Sequence, residues 1–197
     1  SFCAGGDLGW MRDQAGKDRA GKMIEARSLA DMLALWNALP RPVIARVHGP
    51  AYGGGLGLMA VSDIVIAAAG TRFALTETKL GLIPATIGPF VVRRMGEGFA
   101  RRVFLTAKPF DADYAARTGL VSEVVAADAL DPAVEAECEA ALACAPGAMG
   151  AAKALCLRLG GSPVADHIEA TVAALADRWE SDEAEARIAA FFARADR

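Results

Sequence analysis

Ala51-Tyr52-Gly53-Gly54-Gly55-Leu56-Gly57, entered from the run Val43-Ile44-Ala45-Arg46-Val47, decides the fold of this 197-residue chain. A short β-branched strand that runs into a glycine-dense turn and then into small apolar residues up to Ser62 reads as strand, turn and buried helix. Without Cβ atoms such a turn lets a ligand approach the backbone. The first amides of a helix are free and carry the positive end of its dipole. Two other uses compete. A dinucleotide loop needs GxGxxG and an acidic residue about 20 positions on, but Leu58 takes the third glycine position and the next strand ends in Ala67-Ala68-Ala69-Gly70. Close packing of the helix is the second use, and it stays open at this level.

Outward from this turn, Ile64 to Ala68 and Arg72 to Leu75 read as strands, followed by the polar turn Thr76-Glu77-Thr78-Lys79-Leu80-Gly81-Leu82-Ile83-Pro84. Glu77 is a lone carboxylate among Phe73, Ala74, Leu75, Leu80, Leu82 and Ile83. Desolvation there raises a carboxyl pKa, as general acid/base work near neutrality requires; an exposed, helix-initiating Glu is the plainer alternative. Helices are expected over Ile87–Met95, Phe99–Leu105 and Ala112–Thr118, the last closed by Gly119, with a strand at Leu120–Val125. Leu130–Ala145, Ala148–Leu159, Val164–Trp179 and Asp182–Ala195 then read as helices broken at Pro146 and at Gly160-Gly161-Ser162-Pro163. The chain therefore divides into an α/β part over 1–145 and a helical part over 146–197.

Upstream, Ser1-Phe2-Cys3-Ala4-Gly5-Gly6-Asp7-Leu8 delivers small residues from a strand into a helix start. Free amides there suit a developing oxyanion, although a simple capping turn explains the same residues. A short helix over Leu8–Met11, a mobile polar loop through Gly21 and a helix over Lys22–Leu39, with Leu29, Met32, Leu33 and Trp36 on one face, complete this part. Because Ser1-Phe2-Cys3-Ala4 reads as a strand already in progress, a preceding segment is expected.

Hydrophobic residues make up 54% and charged residues 23%, with a net charge of −3, so a packed core is affordable and disorder is excluded. Lys and Arg are scattered, which makes nucleic acid a poor partner. No apolar run approaches the roughly 18 residues of a membrane span. Cys3, Cys138, Cys144 and Cys156 lack CxxC spacing, so reduced thiols in a cytoplasmic compartment are expected. Only His48 and His167 could assist the cysteines, and metal ligation is not expected. His48 reads as satisfying a backbone group, and without a GxSxG a Ser/His/Asp hydrolase lacks support.

In this order, Phe2-Cys3-Ala4-Gly5-Gly6-Asp7-Leu8, Ala51 to Gly57 and Thr76 to Pro84 resemble the enoyl-CoA hydratase/isomerase (crotonase) superfamily. Pro42-Val43-Ile44-Ala45-Arg46-Val47-His48-Gly49, Phe104-Leu105-Thr106, Ala115 to Val121 and Ile188 to Arg194 extend the likeness over essentially the whole chain. The resemblance implies an α/β spiral of β-β-α units, then a helical trimerisation region that gives a homotrimer or a dimer of trimers. It implies an acyl-CoA thioester substrate and no cofactor, since coenzyme A is part of the substrate. It assigns the amides of Gly6 and Gly54 to the thioester oxygen as it becomes an enolate, each donor worth about 3 to 4 kcal/mol. Glu77 becomes the general acid/base. Ala4 falls in the substrate site beside the adenine-binding residues, and Phe191 and Arg194 match terminal-helix positions that reach a neighbouring subunit's CoA.

One departure matters. Hydratases of this kind pair the glutamate at the position of Glu77 with a second one two residues after the glycine triplet, where this chain has Gly57. A single Glu is enough for a 3-enoyl to 2-enoyl isomerase. Leu80 to Val91, however, is similar to methylglutaconyl-CoA-type hydratases, so hydration is the first expectation and isomerisation the second. RNA binding or scaffolding on the same fold is a third, opposed by the acidic balance and the lack of a basic stripe.

Overall fold

The computed structural model describes residues 1–160 and 165–195, the side chains at 159, 165–167, 178, 183, 187, 194 and 195 excepted. Two small sheets share the strands. β1 (Ile44–Val47), β3 (Ile64–Ala68) and β6 (Glu123–Val125) form a parallel sheet in the order β1-β3-β6, with Ile44 opposite Ile64 and Ile66 opposite Glu123. β2 (Ala51–Tyr52), β4 (Arg72–Ala74) and β5 (Phe110–Asp111) form the other, β2 parallel and β5 antiparallel to β4. Each turn of the chain thus gives one strand to each sheet before a helix: β1 and β2 precede α3 (Gly54–Val61), while β3 and β4 precede α4 (Gly88–Met95) and α5 (Glu97–Thr106). This is the expected α/β spiral.

β3 shows why the strands read as apolar runs. Val65 and Ala67 point into the main core, while Ile66 and Ala68 meet Leu130 of α7 (Leu130–Leu142) on the other face. A strand covered on both sides has no polar face to alternate. Its entry is tied by Asp63, whose Oδ2 accepts from the Val43 amide and from Lys153 Nζ, each at 2.7 Å, and whose carbonyl accepts from Arg94 Nη2 at 3.0 Å. Lys153 lies on α8 (Pro146–Leu159) and its side chain is only 11% exposed. We predict that Asp63→Asn, which leaves that ammonium without its counter-charge, costs about 2 kcal/mol. The check is a lower urea midpoint at unchanged slope.

The structure corrects three expectations. The segment from Met11 to Gly21 is not a loop: α1 runs Leu8–Gly16 and α2 runs Arg19–Ala38. Asp7 and Asp18 cap them by accepting from the amides of Trp10 and Gly21, both at 2.8 Å, and Lys17 reaches Glu25 at 2.7 Å. Two Asp N-caps outweighed the glycines at 9, 16 and 21. Leu120 and Val121 are not in a strand. Their amides donate to Ala115 O of α6 (Ala112–Arg117), and the ladder begins only after Ser122 donates to Val65 O at 2.8 Å. His48 is exposed and forms no hydrogen bond among the described residues, because β1 turns Val47 inward and its successor outward.

The C-terminal helices close over the earlier elements. α9 (Ala165–Trp179) packs along α2 and lends Ile168 and Val172 to the main core. α10 (Asp182–Ala195) packs on the 3-10 turn Glu77–Leu80, where Ala184, Ile188 and Phe192 join Met11, Leu80, Leu82 and Trp179 in a second apolar cluster. Gly161, Ser162, Pro163 and Val164, expected to break and restart the helices, lie outside the described residues. Among the described residues no single helix is long and apolar enough to cross a membrane.

Candidate active site

Three segments run in the same direction and end together. Cys3 forms a parallel bridge with Ala51, and the Tyr52 amide donates to Cys3 O at 3.0 Å. Tyr52 pairs in parallel with Ala74, and the Gly53 amide donates to Ala74 O at 3.1 Å. Beyond the paired positions Cys3, Ala51 and Ala74, each chain continues to Gly6, Gly54 and Glu77 respectively. The carboxyl ends of parallel strands are where α/β folds build ligand sites.

The turns that make this possible need glycine. Gly5 has φ 100° and lies against Tyr52, whose Cβ is 3.8 Å from where a Gly5 Cβ would stand. Gly53 has φ 51° and ψ −119°, and a Cβ there would stand 3.4 Å from Glu77 Oε1. The Glu77 carboxylate is therefore seated against the glycine triplet. A Cβ on Gly54 would meet nothing within 4 Å among the described residues, so this first residue of α3 faces open space there. The amides of Gly6 and Gly54 have no acceptor among the described residues. The capping turn expected as the plainer reading of Gly5-Gly6-Asp7 is also present, but Asp7 does the capping and leaves the Gly6 amide out of it. Ala4 is exposed between the bridge and Gly5.

Glu77 starts the 3-10 turn that α10 covers, and its carbonyl accepts from Leu82 N at 3.0 Å. Oε2 is buried and has no hydrogen-bond partner among the described residues. Burial pushes the carboxyl pKa above the ordinary glutamate value, opposed in part by a hydrogen bond from its own backbone.

The glycine run divides its labour. A Cβ on Gly55 would come within 2.6 Å of Cys3 Cβ, and one on Gly57 within 2.5 Å of Ile87 Cγ2 and 3.3 Å of Leu33 Cδ1. Close packing therefore explains Gly55 and Gly57, while Gly53 and Gly54 border the space beside Glu77. The position of the usual second carboxylate is not an empty notch; it is filled by Ile87 and Leu33, both buried. Sequence reading singled out neither as a filler, and no local signal marks them. Met11 of α1, 3.7 Å from where a Gly6 Cβ would stand, is likewise a wall beside Gly6.

Phe191 is 37% exposed on α10 and stacks edge-on against Phe192 at 5.4 Å. Phe192, not Phe191, turns inward, where the Arg12 guanidinium lies 4.3 Å over its ring. The side chain of Arg194 lies outside the described residues.

Residues 1–194 match the family model described as Enoyl-CoA hydratase/isomerase. The chain is 41% identical over 107 residues to an enoyl-CoA hydratase of Alternaria alternata, covering 54% of this chain, and 36% identical over 140 residues to a crotonyl-CoA hydratase of Syntrophomonas wolfei, covering 68%. It spans 34% of the length of the first relative and 51% of the second. The solved structure of an enoyl-CoA hydratase from Shewanella pealeana superposes with a TM-score of 0.78 at 38% identity, over 97% of this chain and 72% of that one.

Proposed function

The chain belongs to the enoyl-CoA hydratase/isomerase family, and from that premise we propose that it adds water to a 2-enoyl-CoA thioester. The supporting observation is the seating of a half-buried carboxyl, Glu77, whose Oε2 is buried, against a glycine turn in which the Gly54 amide has no acceptor among the described residues. The Gly6 and Gly54 amides hold the thioester oxygen. The Glu77 carboxylate takes a proton from water as the water oxygen bonds to C3, and the C2–C3 π electrons move onto the thioester oxygen as an enolate. The enolate then takes a proton at C2 from the same carboxyl, giving a 3-hydroxyacyl-CoA and restoring Glu77. No cofactor is needed. The likeness of residues 80–91 to methylglutaconyl-CoA-type hydratases favours a branched acyl group. We further propose that the protein assembles as a homotrimer or a dimer of trimers, where Phe191 and Arg194 meet a neighbour's CoA.

A specific observation keeps a second reading. Ile87 occupies the place of the second carboxylate, and an isomerase needs only one: Glu77 removes a proton from C2 of a 3-enoyl-CoA and returns it at C4. Incubation with straight-chain and branched 2-enoyl-CoA and 3-enoyl-CoA in deuterated water, followed by mass measurement, separates the two. Gain of one water by a 2-enoyl substrate establishes the hydratase; conversion of a 3-enoyl substrate without that gain establishes the isomerase. RNA retention that weakens as salt rises would instead support the binding-protein reading, and its absence removes it.

The raised pKa of Glu77 has a visible kinetic consequence. As a base it works only when ionised, so kcat/KM falls as pH drops through the raised value. The acid limb of the pH profile should break above about 4.3, the ordinary glutamate value; a break there instead removes Glu77 as the base.

A further inference from the structure

At the end of β4 remote from Glu77 lies a cavity of about 240 Å³, bordered by Arg72, Arg102, Lys108, Arg117, Asp111 and the ring of Tyr114. Arg72 opens β4, and the chain leaves the strand's other end at Ala74 to reach Glu77. None of these four cations pairs with a carboxylate among the described residues. Elsewhere on this net-acidic chain Arg19 pairs with Asp177 and Glu180, Arg27 with Asp31 and Glu169, Arg46 with Asp131 and Arg101 with Glu97, whereas here four cations without such partners border one cavity. The nearby carboxylate, Asp111, spends Oδ1 on the Tyr114 amide at 2.8 Å to cap α6. Two of the guanidiniums are held in place: those of Arg102 and Arg117 sit 5.0 Å and 5.7 Å from the centre of the Tyr114 ring, itself steadied edge-on by Phe110 and Phe99. Stacking on an aromatic face fixes a guanidinium while leaving its N–H edge free for an anion.

We propose that this cavity is an anion site that takes a phosphoryl group, separate from the thioester site. Planar guanidiniums suit the paired oxygens of phosphate. The volume falls below the roughly 300 to 1,000 Å³ of pockets that enclose whole ligands, so it suits one phosphoryl group and not a complete nucleotide.

The test is calorimetric titration of the full chain with inorganic phosphate at low ionic strength. The wild type should bind one phosphate saturably, and Arg102→Gln with Arg117→Gln should weaken binding by about tenfold or more. Added sodium chloride should weaken the wild type as well. Absence of saturable binding, or equal binding by wild type and double variant, overturns the proposal. If circular dichroism shows the double variant misfolded, Arg72→Gln and Lys108→Gln, both at exposed positions, carry the same comparison. A second arm identifies the source. If phosphate competes with coenzyme A and the variants weaken coenzyme A too, the phosphoryl group belongs to the substrate; if coenzyme A is indifferent to both, the site serves a free phosphate.

Discussion

Glu77→Gln should lower turnover by at least about 100-fold while raising the melting temperature at neutral pH. The two effects have one cause. Glu77 Oε2 is buried with no partner among the described residues, and desolvation favours the protonated carboxyl. Its folded pKa is therefore above the unfolded value, so the favourable contribution of the protonated form is fully present below the unfolded pKa and is lost as pH rises through the folded pKa. At neutral pH the wild type bears the cost of a desolvated carboxylate. Gln fills the same volume without charge and escapes that cost, but it cannot take a proton from water or from carbon. Turnover of enoyl-CoA substrates and a melting curve at pH 7 and again near pH 4 check both halves: the stabilisation should shrink at the lower pH. Unchanged turnover removes Glu77 from the chemistry, and a stabilisation independent of pH removes the desolvation account.

Gly57→Glu, the change that writes the second carboxylate back into the sequence, should abolish folding instead of improving hydration. Even a methyl group is too much: a Cβ would stand 2.5 Å from Ile87 Cγ2 and 3.1 Å from Ile87 Cβ. Two effects oppose each other in Gly57→Ala. Alanine gains about 1 kcal/mol of helix propensity over glycine, while overpacking of a closed core costs about 3 kcal/mol. The clash wins, so Gly57→Ala should lose about 2 kcal/mol in urea melts. The comparison with Ile87→Ala locates the cause. Ile87→Ala alone should cost about 2 to 5 kcal/mol by leaving a cavity, and the double variant should cost less than the sum because each change supplies what the other lacks. Strict additivity would mean that Ile87 does not set the limit at residue 57.

The comparison of these two positions also shows what could be read in advance. Glu77 was legible because its apolar neighbours are adjacent in sequence, and the turn that holds it is local. The order of strands was legible because covered parallel strands are written as apolar runs, as in Ile64 to Ala68. The filling of the Gly57 site was not, because Leu33 and Ile87 come from separate helical segments that meet only in the packed core. The N-terminal helices were missed for a different reason: weakly amphipathic helices with interior glycines depend on Asp7 and Asp18 at their starts, and on ties such as Lys17 to Glu25, more than on hydrophobic periodicity. Phe191 was singled out by its place in a terminal-helix pattern, yet within one chain the inward ring is that of Phe192.

The packing of α10 on the Glu77–Leu80 turn sets an order in time. Of the described elements α10 is the last to leave the ribosome, and the residues it brings, Ala184, Ile188 and Phe192, close over Leu80, Leu82 and Met11. A nascent chain can pair its strands and seat its glycines while the flank of Glu77 still faces water. On the proposed function, a chain that has not yet added α10 carries the site in outline without this apolar cover.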